Sequence, residues 1–435
     1  MIVKLKYNGP LTGEVSVPGD KSITHRAIML ASLNKGKTMI SKPLLGDDCI
    51  STINIFRKLG VNISIEEDSV TVDSPGYEQF REPDEILYTG NSGTTTRLLC
   101  GLLAGLPFKT VLDGDASIRQ RPMGRVIEPL RQMGVNIKGR DNQFTPIIIN
   151  DGHISKVQGI DYLMPVNSAQ VKSAILLAGL YAEREVRITE QDISRNHTEL
   201  MFKESDINID VDDKTIILKP NGIHNLKMKD IHIPGDISSA AFFIVAALII
   251  PGSKITLNDV GTNVTRSGIL EVVKMMGGNI QVIDKAQHTE RISDIIVSYT
   301  KDLRAIKIEG SLIPKLIDEI PVIALLLAHA QGVSEIRDAE ELKVKETNRI
   351  DTVVTELNAL GYKIEPAIDG MIVYGKVKGE RTRHTFDSYG DHRIGMMLAV
   401  AALIEAAEIE INQFEAVNIS YPNFIEHIKQ LEGEL

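Results

Sequence analysis

A sixfold repetition constrains this chain more than any other feature. A polar start followed by a long apolar helix recurs as GDKSITHRAIMLAS, GNSGTTTRLLCGLLAG, NSAQVKSAILLAGL, GDISSAAFFIVAAL, IDEIPVIALLLAHA and GDHRIGMMLAVAAL. The leading polar residues Asp20, Asn91, Asn167, Asp236, Asp318 and Asp391 are 71, 76, 69, 82 and 73 residues apart. Asp and Asn side chains accept bonds from the orphaned amides of a first helical turn, so all six are expected to be N-caps. Ala, Leu, Ile and Met follow on nearly every side, which predicts buried rather than amphipathic helices.

A second helix follows in each unit and usually ends on glycine: FRKLGVNI around Gly60, LRQMGVNI around Gly134, VKMMGGNI around Gly277 and LNALGYKI around Gly361. Glycine suits the left-handed position that terminates a helix. The third unit, FKESDINID, has no such glycine. Short strands are predicted between helices at TVLDG, TPIII, KTIILKP, KITLNDV and DIIVSY. Each unit therefore reads as two helices and a small mixed sheet.

The sixth unit ends in the helix PNFIEHIKQLEGEL with no strand pair after it, whereas residues 2–7 and 13–17 form an unattached strand pair before the first helix. The simplest repair lets the N-terminal strands complete the sixth unit. The expected domains are then residues 20–234, and residues 1–19 together with 235–435. The chain would cross twice, each time at the sequence PGD, which suits a turn into a helix. Three units per domain, joined by two parallel crossings, predict a hinged clamp.

At 435 residues, two domains also fit the size at which single cores stop growing. A net charge of −10 argues against nucleic acid or anionic membrane as partner. The opening MIVKLKYNGP lacks the apolar run of a secretory signal. Cys49 and Cys100 are the two cysteines, and the ten histidines lack zinc-site pairing. A cytoplasmic protein without metal or nucleotide cofactor is expected, since neither GK[ST] nor a strand-linked GxGxxG occurs.

Positive charge nevertheless gathers at helix starts: Lys21 and Arg26, Arg97, then Arg119, Arg121 and Arg125, Arg195, the group Lys343, Lys345 and Arg349, and Arg393. A helix N-terminus already carries about half a positive charge, so cations there repel it unless an anion intervenes. Taken one at a time, such arginines are ordinary surface charges. Recurring in an acidic chain, they predict an anionic ligand, with charge-assisted bonds of about 1.5–3 kcal/mol each.

The segments VPGDKSITHRAI, GNSGTTTR, RQRPMGRVIEPL, NSAQVKSAILLAGL, LIDEIP, LKVKETNRI and YGDHRIGM, in order along the whole chain, resemble the 5-enolpyruvylshikimate-3-phosphate synthase family. The resemblance implies an α/β fold, a two-domain inverse-barrel clamp of six βαβαββ units. It implies transfer of the enolpyruvyl group of phosphoenolpyruvate to shikimate 3-phosphate, with no cofactor and a monomeric protein. Lys21 would touch both substrates, and Ser22 and Arg26 would hold the shikimate phosphate. Ser168, Ala169, Gln170, Ser194 and Arg195 would also serve that substrate. Asn91, Gly93, Arg121, Gln170, Arg349, His392 and Arg393 would surround phosphoenolpyruvate. Gly93 would leave room for the inhibitor glyphosate. Asp318 would take the proton of the attacking hydroxyl beside Lys345, and Glu346 would protonate the methylene carbon.

Departures from some members are visible. Ala169 stands where they carry a second serine, no tyrosine lies near His197, no lysine lies in EAVNISYP, and Glu341 replaces an asparagine. Two rival readings are a UDP-N-acetylglucosamine enolpyruvyl transferase and a non-catalytic anion-binding clamp. The first typically has a cysteine in the loop equivalent to DGDASIRQRPMG and an asparagine after its early lysine; here the loop has no cysteine and Ser22 follows Lys21. In the second, Asp318 would be only a cap and Glu346 only a partner of Lys343 or Arg349 at helical spacing.

Overall fold

A computed structural model describes residues 1–285 and 290–433. Among these, the α-helices alternate in kind along the chain. They are α1 (Lys21–Leu33) and α2 (Asp47–Lys58), α3 (Gly93–Leu102) and α4 (Gly124–Gln132), α5 (Ala169–Gly179) and α6 (His197–Glu204), α7 (Ile237–Ile249) and α8 (Gly268–Met275), α9 (Ile320–Ala328) and α10 (Arg349–Ala359), and α11 (His392–Ala402) and α12 (Phe424–Glu432). The first of each pair carries the apolar run. Every residue of α7, α9 and α11 is buried.

Two compact units result, one of Gly19–Ile233 and one of Met1–Pro18 with Pro234–Leu435. In each, the odd-numbered helices pack on one another at the centre and the sheets lie against them. Phe242, Phe243, Leu326 and Met397 belong to one core, and Met29, Phe56, Leu99 and Ile175 to the other. Burying a side chain of this size contributes about 1.5–3 kcal/mol, so helices apolar on all sides find their place only in such a centre.

Three of the six expected caps form. Asp20 accepts from Ile23 N at 2.9 Å, Asp236 from Ser238 N at 2.8 Å and Asp391 from Arg393 N at 2.9 Å. At α3 and α5 the cap is the next residue: Ser92 accepts from Thr95 N, and Ser168 from Val171 N. Asn167 is engaged instead with Asp192, whose N–H it accepts at 2.9 Å. At α9 the N-cap position is Glu319 rather than Asp318, and Pro321 lies in the first turn, where an amide would have had no partner. The second helices stop as expected, Gly60, Gly134, Gly277 and Gly361 all having positive φ. At Gly361 (φ +92°) a Cβ would also lie 2.5 Å from the Gly379 carbonyl oxygen. In the third unit Asp206 takes the left-handed place (φ +59°).

Six small sheets among the described residues share one plan, in which the first strand is parallel to the second, and the third and any fourth are antiparallel to their neighbours. The sheet Leu87–Tyr88, Thr110–Asp113, Phe144–Ile149, Ile137–Arg140 shows it with consecutive segments. Closure of the repeats corrects the expectation for the N-terminal strands. Val3–Leu5 does complete the sixth unit's sheet, antiparallel to Ile409–Asn412. Thr12–Val15 instead joins the fourth unit, parallel to Lys254–Gly261. The equivalent first strand of the first unit is Ile231–His232, parallel to Gly36–Ser41. The strand ahead of each PGD thus pairs in the unit that the chain is leaving. At both sites the glycine is required by crowding rather than by a left-handed turn. A Cβ on Gly19 would lie 2.1 Å from the Lys42 carbonyl oxygen, and one on Gly235 would lie 2.8 Å from the Val17 side chain.

Candidate functional site

The candidate residues fall into one cluster in each unit. In the unit Gly19–Ile233 they stand at the starts of α1, α3 and α5. Lys21 opens α1 and its ammonium lies 3.2 Å from Asp48 Oδ2. Ser22 follows it, and its carbonyl accepts from Arg26 Nη1 at 2.8 Å. Arg26 is buried and also donates to Thr198 Oγ1 at 2.7 Å and Ser173 Oγ at 2.6 Å, so it stitches α1 to α5 and α6.

Around the start of α3, Arg121 Nη1 donates to the Asn91 carbonyl at 3.2 Å. Arg97, one turn into α3, donates to Gln170 Oε1 at 2.7 Å, and Gln170 Nε2 donates to Thr94 Oγ1 at 3.0 Å. Gly93 lies against the ends of both arginines: a Cβ there would meet Arg97 Nη1 at 2.7 Å and Arg121 Nη2 at 3.0 Å. Asn91, Gly93, Arg121 and Gln170 are therefore brought together. Arg97, not among the assigned site residues, joins them; its place one turn after GNSG was the signal. Arg119 instead pairs with Asp113 at 2.6 Å.

At α5, Ser168 is the cap and Ala169 the first helical residue, so the free amides of this turn are open to an anion. Ser194 gives its hydroxyl hydrogen to Glu190, which also accepts its N–H at 3.2 Å.

The cluster in the other unit centres on Arg349, the first residue of α10. Its Nε donates to Asp391 Oδ2 at 2.8 Å, Nη2 to Asp391 Oδ1 at 3.2 Å and to Glu346 Oε2 at 2.6 Å, and Nη1 to Asp318 Oδ1 at 3.4 Å. These bonds occupy four of the five guanidinium hydrogens. Burial opposes the charge, but Asp391, Glu346 and Asp318 outweigh it and hold the group above its ordinary range. Lys345 lies 3.8 Å from Asp318 Oδ1 and 3.1 Å from Glu341, so the departure at position 341 supplies that lysine with a carboxylate partner. Lys343 turns away to the Ile368 carbonyl. His392 and Arg393 open α11, both buried, and Arg393 Nη1 donates to the Ser238 carbonyl at 3.2 Å.

Chemically, the first cluster offers cations and open amides suited to anions. The second offers a carboxylate, Asp318, oriented by Arg349 and Lys345, with a second carboxylate, Glu346, on the same guanidinium. Such a pair can move protons where charge develops. Asp48 and Asp391, which orient Lys21 and Arg349, were not assigned from sequence, although Asp391 stood out as a helix start. Among the described residues no group of three or more His, Cys, Asp or Glu is arranged to hold a metal ion. Among them, too, no helix is long and apolar enough to cross a membrane.

The family model of EPSP synthase (3-phosphoshikimate 1-carboxyvinyltransferase) matches residues 5–428. A 3-phosphoshikimate 1-carboxyvinyltransferase of Staphylococcus haemolyticus is 55% identical over 430 residues, covering 99% of this chain and 98% of the relative. The protein of that description from Staphylococcus aureus strain MRSA252 is likewise 55% identical with the same coverage. Among solved structures, EPSP synthase from Acinetobacter baumannii superposes with a TM-score of 0.86 at 37% identity, over 99% of this chain and 98% of that one. The enolpyruvyl transferase NikO from Streptomyces tendae shares the fold, with a TM-score of 0.81 at 17% identity over 99% and 97% of the two chains. With the six-unit α/β architecture and a match across nearly its whole length, the chain belongs to the EPSP synthase family.

Proposed function

We propose that this protein transfers the enolpyruvyl group of phosphoenolpyruvate to the 5-hydroxyl of shikimate 3-phosphate by addition and elimination, releasing phosphate. Within the family, the observation that carries this reading is Asp318, whose carboxylate faces both Arg349 and Lys345. In this scheme Asp318 accepts the proton of the 5-hydroxyl as its oxygen bonds to C2 of phosphoenolpyruvate. Glu346 delivers a proton to the methylene carbon, giving a tetrahedral ketal. Loss of a methyl proton and cleavage of the carbon–oxygen bond to phosphate then yield the product. Lys21, Arg121, Arg349 and Arg393 neutralise the departing phosphate, with Asn91, Gly93, Gln170 and His392 shaping its surroundings. Ser22, Arg26, Ser168, Ala169, Gln170 and the turn at Ser194–Arg195 hold shikimate 3-phosphate. Charge on the phosphates is met by Arg and Lys, so the scheme requires neither metal nor cofactor. On the same reading the protein acts as a cytoplasmic monomer on small molecules, not on nucleic acid.

The test is phosphate release from phosphoenolpyruvate, measured with shikimate 3-phosphate and, separately, with UDP-N-acetylglucosamine. Release with the first acceptor alone is expected. Release with only the second would reassign the acceptor, and none with either would leave a binding protein.

A further inference from the structure

Lys172 is a buried cation near the start of the largely apolar helix α5. It lies on α5 one turn after Ser168, and its ammonium is 2.9 Å from Glu190 Oε2, 2.6 Å from Glu199 Oε1 and 3.3 Å from the Ser194 carbonyl. Three acceptors match its three hydrogens. Glu190 follows the strand Val186–Thr189, and Glu199 sits in the first turn of α6. Glu190 Oε1 in turn accepts both the N–H and the hydroxyl of Ser194. The three polar groups of Ser194 are therefore held by this cluster, its N–H and hydroxyl by Glu190 and its carbonyl by Lys172. While it bonds Glu190, Ser194 has no hydrogen to offer a ligand.

Burying one ammonium with two carboxylates is costly, and apolar residues of similar volume often stabilise a core as well or better. What such a network supplies is fixed geometry. The turn it fixes leads directly into Arg195, and the neighbouring residues Ser173 and Thr198 hold Arg26.

We propose that the buried Lys172–Glu190–Glu199 cluster positions the Ser194–Arg195 turn for the phosphate of shikimate 3-phosphate, with Lys172 and Glu190 acting as positioning residues that do not touch substrate. This rests on the reaction proposed above. Glu190→Gln is the informative variant. One amide cannot accept from both Lys172 and Ser194 on two oxygens, yet Lys172 and Glu199 remain as a balanced pair that favours folding. In steady-state kinetics of the full chain, Glu190→Gln should raise the KM for shikimate 3-phosphate at least tenfold, with kcat and the KM for phosphoenolpyruvate within threefold. Lys172→Met should move the same constant in the same direction. A shikimate 3-phosphate KM within twofold of the parent, or an equal rise in both KM values, would overturn the proposal. So would failure of both variants to fold, which would make the cluster a stability element. Absence of turnover in the parent protein would instead refute the reaction itself.

Discussion

Arg349 and Asp391 form a two-pronged ion pair, Nε to Oδ2 at 2.8 Å and Nη2 to Oδ1 at 3.2 Å, in which neither residue is more than 2% exposed. The same aspartate caps α11 through Arg393 N and accepts from Thr347 Oγ1 at 3.1 Å. One carboxylate thereby ties the loop before α10 to the start of α11. Removing its charge leaves a buried guanidinium short of its main partner, which typically costs about 3–5 kcal/mol. Asp391→Asn should lose stability on that scale in urea unfolding. Asp391→Ala should lose about 1 kcal/mol more, because asparagine can still cap the helix and alanine cannot. Equal losses in the two variants would show that the cap contributes nothing.

Asp318 faces Arg349 and Lys345, so its substitution tests the proposed base directly. Asp318→Asn should reduce kcat by about 10²–10⁴, the usual range for losing a general base. Its unfolding free energy should fall by only about 1 kcal/mol, because Arg349 loses one carboxylate partner and keeps Asp391 and Glu346. Affinity for shikimate 3-phosphate, measured by calorimetry, should change only a few-fold. Turnover surviving within a few-fold would assign the base elsewhere.

Gly93 sits against the ends of Arg97 and Arg121. A methyl group there displaces both guanidinium groups while leaving Lys21, Ser22 and Ser168 untouched. Gly93→Ala should therefore raise the KM for phosphoenolpyruvate by roughly tenfold, about 1.4 kcal/mol. The KM for shikimate 3-phosphate should remain near that of the parent, and a matching rise in it would point to general distortion of α3.

Acid should destabilise the protein partly through His329. Burial, with Lys378 and Lys376 nearby, pushes this imidazole down to about 4. Its ring lies 3.2 Å from the Tyr362 hydroxyl. Because the folded value lies below the unfolded one of about 6.5, the unfolded chain takes up the proton first, and stability falls as pH drops from about 6.5 toward 4. By pH 5 the loss from this residue should be about 2 kcal/mol. His329→Gln should flatten the pH 7 to pH 5 change in unfolding free energy by that amount; an unchanged slope would place the acid sensitivity elsewhere.

Much of the architecture was legible because it is written in local chemistry. Six apolar runs after polar starts could only be buried helices, and Gly60, Gly134, Gly277 and Gly361 marked where their partners stop. The register of the caps was not legible at α3 and α5, since Asn and Ser stand side by side in GNSG and NSAQ and both can cap. Only the competing Asp192 draws Asn167 away. Lys172 was invisible for a different reason: its carboxylate partners lie 18 and 27 residues further along the chain. The pairing of Thr12–Val15 was missed because TGEV carries a single buried residue and too weak an alternation to declare a sheet partner. The anion-binding helix starts were legible as a set, but the bonds that commit Arg26 and Arg349 to protein groups belong to tertiary structure.

The exchanged first strands impose an order on events at the ribosome. Once Ile231–His232 has emerged, residues 19–233 have every strand their sheets need and can close as a unit. The two strands before residue 19 cannot: Thr12–Val15 must wait for Lys254–Gly261, and Val3–Leu5 for Ile409–Asn412. Val3–Leu5 thus stays an unpaired edge until about 400 further residues have been made, a window in which a sequence that resists edge-to-edge pairing is an advantage. Gly13 and Glu14, poor strand formers with a charge among them, suit that wait.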